Sequence, residues 1–434
     1  MMQTKKRTLS LTSAFAVLAA TIFVTGVFAT AQETVLYNFN DNSFAPWKPT
    51  STLIFDGAGN LYGTTLEGGI DNGGTGFELS PQPGGGWNET VLHVFHNGDN
   101  EGYYPQGGLV TDGVGNFYGV AYYGGTGTNC GIFGGGTAFE LSPTLTGGWK
   151  ERVLHTFGSL PGCADGGSPW GGLTFDDSGN LYGTTVAGGA FGWGTIFKLS
   201  RTSGENWNEI ILHSFDGNDG QAPNSTMVFD SAGNLYGTTE LGGPYYGGTV
   251  FELADVPGGN WTLRVLHGFS TSSGGYQPQG ALVFDTAGNV YGTTYLGGVG
   301  KNCSIGCGTV FELSPSARGW TKKTLHYFTN NGKDGYQPVS GLIFDAAGNL
   351  YGTTIYGGDS TLPNCSGLGC GTVFKLTLAT GGTWAERIVH NFGAFKNDGE
   401  FPEAGMILDA AGNFYGTTSG AGSNLGGTVF EIAH

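Results

Sequence analysis

One segment recurs in register along nearly the whole chain, and it limits the fold more than any other feature. It is clearest as Leu342-Ile-Phe-Asp-Ala-Ala-Gly-Asn-Leu-Tyr-Gly-Thr-Thr354, with near copies beginning at Leu53, Leu109, Leu173, Met227, Leu282 and Met406. The Gly-Asn asparagines are Asn60, Asn116, Asn180, Asn234, Asn289, Asn349 and Asn413, spaced by 56, 64, 54, 55, 60 and 64 residues. A period of this size signals supersecondary units that bury their faces against one another. Each unit reads as four strands. A Leu-Ile-Phe run is followed by an Asp-x-x-Gly-Asn turn, where glycine and asparagine supply the positive φ of a hairpin. A Leu-Tyr-Gly-Thr-Thr run comes next, then a Gly-Gly loop of variable length. The third run is like Gly308-Thr-Val-Phe-Glu-Leu313, and the fourth is led by tryptophan, as in Trp261-Thr-Leu-Arg-Val-Leu-His-Gly-Phe269. Several runs are apolar on both faces, as sheets between neighbours must be.

Four strands per unit and seven units predict an all-β, seven-bladed β-propeller of four-stranded blades. The last unit ends on a third strand, Gly427-Thr-Val-Phe-Glu-Ile432. Its fourth strand stands at the other end of the chain, as Val35-Leu-Tyr-Asn-Phe39, matching Val91-Leu-His-Val-Phe95. The strand at residues 33–40 is therefore expected to complete the last blade and close the ring. Composition agrees. Glycine is 84 of 434 residues, too many for a helical bundle, where each costs about 1 kcal/mol. The glycines are clustered, unlike the strict third-position glycine of collagen. The 13% aromatic content excludes an acidic disordered chain.

Around Asn-Leu-Tyr-Gly-Thr-Thr…Gly-Gly…Gly-Thr-Val-Phe-Glu-Leu the units resemble the Gloeobacter–Verrucomicrobia (GloVer) tandem repeat, over nearly all of residues 33–434. The resemblance implies an exported bacterial repeat protein, often with a surface anchor, and no particular activity. In departure from that pattern, no C-terminal anchor is expected here. The Pro-x-x-x-Leu…Asp-x-x-Gly-Asn stretch is also similar to NHL and other propeller repeats, which bears on fold alone.

Residues 1–31 read as a secretory signal peptide and 32–434 as one propeller domain. Lys5-Lys6-Arg7 precede an apolar stretch from about Ala14 to Phe28, and Ala29-Thr30-Ala31 offers a cleavage site before Gln32. The alternative is an uncleaved anchor. The net charge is −17, and removing residues 1–31 makes it more acidic still. Such a surface repels nucleic acid and anionic membranes, so neither is an expected partner. The mature chain is expected to be a secreted, extracellular or periplasmic monomer without membrane insertion. Its six cysteines suit export. Spacing pairs Cys303 with Cys307 and Cys365 with Cys370, leaving Cys130 for Cys163. Zinc ligation is the alternative reading of the close pairs.

Residues present in every blade are expected to build the blade. The turn acids Asp56, Asp112, Asp176, Asp230, Asp285, Asp345 and Asp409 fit that reading. So do Trp87, Trp149, Trp207, Trp261, Trp320 and Trp384, each six residues before a histidine: His93, His155, His213, His267, His326 and His390. Tyr37 takes the seventh place. One histidine per blade cannot converge on a single metal. No catalytic triad or zinc-protease motif stands out.

The variable second-to-third loops and the blade connections open on one face, the expected functional face. Each connection ends at a proline: Pro49, Pro105, Pro169, Pro223, Pro278, Pro338 and Pro402. Two residues earlier stand Trp47, Tyr103, Tyr276 and Tyr336; four earlier stand Glu101, Asp165, Asp219, Asp334 and Asp398. Rings that cover a sugar face, with acids that accept its hydroxyls, make these the candidate ligand-binding residues. Tyr122, Tyr123, Trp170, Trp193, Tyr245, Tyr246 and Tyr356 add to the loops. The alternative is that these aromatics only pack loop against loop. No cofactor is assigned; calcium is the metal such acidic loops would suit. The leading expectation is a non-enzymatic binding or interaction module for an extracellular glycan or protein. An enzyme acting on extracellular polysaccharide through paired carboxylates and a structural surface protein are the alternatives.

Overall fold

The computed structural model describes residues 33–433, apart from 42–43, 99, 203–205, 257–258, 272–273, 300–301, 360, 363–364 and 366. Residues 1–32, with the expected signal segment and its cut, lie outside the described residues. Seven four-stranded antiparallel sheets follow one another around a ring, so the chain is a seven-bladed β-propeller. Blade one runs Ile54–Phe55, Leu61–Glu67, Thr75–Pro81 and Trp87–Val94. The other blades repeat this order. In blade seven, Ile407–Leu408, Phe414–Thr418 and Leu425–Ile432 are completed by the N-terminal strand Glu33–Asn40. That strand pairs antiparallel with Leu425–Ile432, Glu33 opposite Ile432 and Asn38 opposite Thr428.

The core is divided among seven interfaces. Each buried cluster joins two consecutive blades, as Leu154 and Phe157 of blade two meet Leu181 and Phe197 of blade three. A ring of phenylalanines runs through them. The Phe ending each fourth strand meets the Phe of the next blade's third strand, as Phe39 meets Phe77 and Phe392 meets Phe430. All seven contacts lie at 4.9–5.4 Å between centroids. The second-strand glycine makes room for this third-strand ring. A Cβ on Gly237 would stand 2.6 Å from Phe251 Cζ.

Two departures from a regular sheet matter for function. The first strands are shorter than the Leu-Ile-Phe runs suggest, most only two residues long. In blade one the chain pairs at Pro49–Thr65, leaves the ladder, and returns at Ile54–Tyr62. Ser51 Oγ fills the gap, accepting from Thr64 N–H at 2.8 Å and donating to Thr64 O at 3.1 Å. The residues between proline and strand thus bulge inward, a common way to re-aim side chains at a site. The second departure is a bulge in the fourth strand just before the histidine: Phe77 faces Val91, but Gly76 faces His93. Every blade repeats it, with Tyr37 in place of histidine in blade seven.

The cysteines pair as their spacing predicts: Cys130–Cys163, Cys303–Cys307 and Cys365–Cys370, with no free thiol. Three disulfides suit an oxidising compartment. Among the described residues no helix is long and apolar enough to cross a membrane.

Candidate functional site

The blade connections build the site, and they do so under strain. The residue before each connection proline is left-handed in all seven blades: Lys48, Tyr104, Ser168, Ala222, Gln277, Gln337 and Phe401 have φ of 51–61°. None is glycine, so each conformation costs energy and persists only because its surroundings fix it. Part of that fixing is visible. Tyr104, Ser168, Ala222, Gln277, Gln337 and Phe401 donate their N–H groups to carbonyls of the preceding blade's second-to-third loop, at 2.7–3.0 Å. The prolines behind them are buried.

The residue after each proline then turns toward the axis. Thr50, Gln106, Trp170, Asn224, Gln279, Val339 and Glu403, one from each blade, line a single cup of about 350 Å³. Tyr295 and Ile355, from the ends of second strands, line it too. This volume lies in the range of small-molecule sites. The lining is mostly polar, and Trp170 is the exposed ring, with 41% of its surface accessible and its edge against Tyr122.

One carboxylate, Glu403, lines this cup, and a second, Glu240, holds two of its lining side chains. Glu240 accepts from Asn224 Nδ2 at 3.2 Å and Gln279 Nε2 at 3.1 Å. Glu403 accepts from Ser419 Oγ at 2.8 Å. Burial raises both carboxyls above the usual range, against the pull of Gln279 on one and of Ser419 and Lys48 on the other. Burial also raises the Tyr295 phenol, with further pressure from Tyr356, Glu240 and Glu403. Neither glutamate follows a blade-wide pattern. Around the cup the second-to-third loops expose large apolar groups in every blade, among them Ile70, Ile132, Phe191, Tyr246, Val299, Leu368 and Leu425.

The residues singled out in sequence lie elsewhere. Tyr103 and Tyr336 are buried in the clusters between blades, 6% and 8% exposed. Tyr276 packs against another such cluster and donates to Ile305 O at 3.3 Å. Trp47 Nε1 donates to Asn72 Oδ1 at 3.1 Å. The five acids are drawn to the fourth-strand histidines. His93 meets Glu101 at 3.0 Å, His213 meets Asp219 at 2.7 Å, His326 meets Asp334 at 3.3 Å and His390 meets Asp398 at 3.2 Å. His155 stands 3.9 Å from Asp165, which is fully buried and takes the Ser159 and Leu160 N–H groups. Of the loop aromatics, Trp170 lines the cup; Tyr245 and Tyr246 are exposed.

A third residue joins these pairs, two positions after each blade tryptophan or its equivalent: Glu33, Glu89, Glu151, Glu209 and Glu386, with Leu263 and Lys322 in the remaining places. In an unbulged strand Glu89 and His93 would share a face. The bulge sends them apart. Glu89 accepts from Tyr37 of blade seven at 2.7 Å, while His93 meets the connection to blade two. Blades one, two, three and six thus offer a glutamate backward and a histidine forward. Burial, with the neighbouring Asp398, pushes the Glu33 carboxyl up to about 8; burial and Asp165 do the same for Glu209. Burial and Asp334, against the pull of His326, bring Glu386 to about 7. Between blades four and five the charges are exchanged. Lys322 donates to Gly274 O, and burial with this lysine drops His267 to about 4.

Comparison with known proteins agrees with this architecture. The model of the Gloeobacter/Verrucomicrobia repeat matches residues 128–362 and 301–434. The chain belongs to the Gloeobacter/Verrucomicrobia repeat family. No curated protein matches it. Within this Gloeobacter/Verrucomicrobia repeat protein the repeated residues form the scaffold, and the cup is lined by residues that differ from blade to blade. That contrast is the signal a single sequence did offer.

Proposed function

We propose that this propeller is a binding module that takes a polar ligand, a carbohydrate segment, in the cup on its loop face. One observation carries the reading. Seven unlike side chains, Thr50, Gln106, Trp170, Asn224, Gln279, Val339 and Glu403, converge from one repeated place in an otherwise shared frame. Amides and carboxylates that accept and donate, beside one exposed indole, suit the hydroxyls and the apolar face of a sugar ring. The apolar loops around the cup would widen contact with a longer chain. A second reading rests on Glu240 and Glu403. Two half-buried carboxyls beside one cavity, both raised by burial, are the raw material of acid catalysis at a glycosidic bond. One experiment tests both. The exported protein is incubated with insoluble polysaccharides and soluble oligosaccharides, and retention, heat of binding and released sugar are measured. Binding without release, weakened at least about tenfold by Trp170→Ala, is the expected result. Release that Glu403→Gln abolishes would replace it with the hydrolase. Binding that Trp170→Ala leaves unchanged would sink the cup as the site.

A further inference from the structure

Away from the cup, three blade interfaces gather a histidine and two acids. They are Glu33, His390 and Asp398; His155, Asp165 and Glu209; and His326, Asp334 and Glu386. In each, one ligand atom per residue lies within 4.8 Å of the others. Each comes from three separate pieces of chain: a fourth strand, the connection after it and the next blade's fourth strand. In each, buried polar atoms have no hydrogen-bond partner. Glu33 is 6% exposed, and both its carboxylate oxygens are unpartnered. Asp334 Oδ1, Glu386 Oε1, Glu209 Oε1 and His155 Nε2 are in the same condition. A buried carboxylate left without partners is costly, and a repeated one asks for a ligand.

The separations also suit a metal. Where the third residue is Leu263, His213 and Asp219 close to 2.7 Å. In the three triads the histidine is farther from its acids: it hydrogen-bonds Asp398 at 3.2 Å and Asp334 at 3.3 Å, and lies 3.5 and 3.9 Å from Glu209 and Asp165. Bonds of about 2.0–2.1 Å to a tetrahedral ion put neighbouring ligand atoms about 3.4 Å apart. Two carboxylates and a neutral imidazole also carry the charge that balances a divalent cation. Calcium, with its six to eight oxygen ligands, suits an imidazole-containing triad poorly. We propose that these three triads bind a divalent transition-metal ion of the zinc class, each ion clamping two neighbouring blades, and that the ion held through Glu33 fastens the N-terminal strand that closes the ring.

The test uses the full exported chain without a histidine tag, freed of metal by chelator and titrated with zinc alone. Bound metal is counted by elemental analysis, melting is followed, and cobalt is added in parallel for its tetrahedral absorption bands. The expected result is about three tight equivalents and a rise in melting temperature. One equivalent should disappear with each of Glu33→Gln, Glu209→Gln and Glu386→Gln, and the cobalt bands with all three. These changes are isosteric; if the triple variant fails to fold, the single variants are read instead. No tight zinc, or bound zinc that survives the substitutions, would overturn the proposal.

Discussion

At the scale of single residues, blade two exposes the rule by breaking it. In the six other blades the last threonine of the second strand pairs with the first threonine of the third. Thr65 meets Thr75 at 2.8 Å, Thr239 meets Thr249 at 2.9 Å, and Thr418 meets Thr428 at 2.8 Å. The second-strand hydroxyl also donates onward, as Thr65 Oγ1 does to Glu67 O, so the buried pair is satisfied. Blade two has Ala121 opposite Thr137, and Thr137 Oγ1 is buried with no partner. The space for a hydroxyl exists, because blade six holds Thr354 and Thr372 against Gly335 as blade two holds Ala121 and Thr137 against Gly102. Ala121→Thr should therefore stabilise the protein, by about 0.5–1.5 kcal/mol. Urea unfolding of the variant checks it; an unchanged or lowered midpoint would mean that blade two has relaxed around its alanine.

At the scale of elements, the first hairpin turn is the best-read feature of the sequence. In each blade the turn aspartate accepts the following asparagine's backbone N–H and its side-chain amide, and a tyrosine hydroxyl, as Asp230 does from Asn234 and Tyr236. Burial alone would raise these carboxyls, but the hydrogen bonds outweigh it and hold all seven below the usual value. A depressed folded value means stability that is fully present above the unfolded carboxyl's range, about 3.9. That stability is lost as pH falls through the folded value. Asp230→Ala should cost about 1–2 kcal/mol at pH 7, and less as the pH approaches 2. Urea midpoints for both proteins across that range check it; a cost that holds constant with pH would remove the carboxylate from the account. The turns were legible because one role is repeated seven times and local residues suffice for it. The inner bulge was not, because Ser51 enters the ladder through its side chain and nothing local marks that. Nor was the fourth-strand bulge, which undoes the period-two reading and parts Glu89 from His93. Searching for shared acids and aromatics led to Asp165, Asp398, Tyr103 and Tyr336, which the blades use among themselves. The cup was hidden in the variation at Thr50, Trp170 and Glu403.

At the scale of the whole molecule, a ring has no weakest end only if its last joint equals the others. The N-terminal strand makes that joint. Tyr37 donates to Glu89 of blade one, Asn38 Oδ1 accepts the Ser423 N–H at 2.7 Å, and Asp41 N–H reaches Asn424 O at 3.0 Å. Phe39 is 1% exposed and sits in the cluster of Leu61, Phe77 and Val429. Phe269 holds the corresponding place between blades four and five, far from either chain end in sequence, and is buried to the same degree. Removing a buried phenylalanine side chain costs about 3–5 kcal/mol. If strand 33–40 is structurally equivalent to an internal fourth strand, Phe39→Ala and Phe269→Ala should cost the same within about 1 kcal/mol. Each should lower a single cooperative transition, because a cavity at any interface opens the whole ring. If the N-terminal strand merely rests on blade seven, Phe39→Ala should be the milder change, and calorimetry should show an early, separate transition as that strand leaves while the remaining blades stay folded. Hydrogen exchange decides between them at the strand itself: in a closed ring, the amides of Val35 and Tyr37 should exchange as slowly as those of Val265 and His267, and faster than them if the strand merely rests on blade seven.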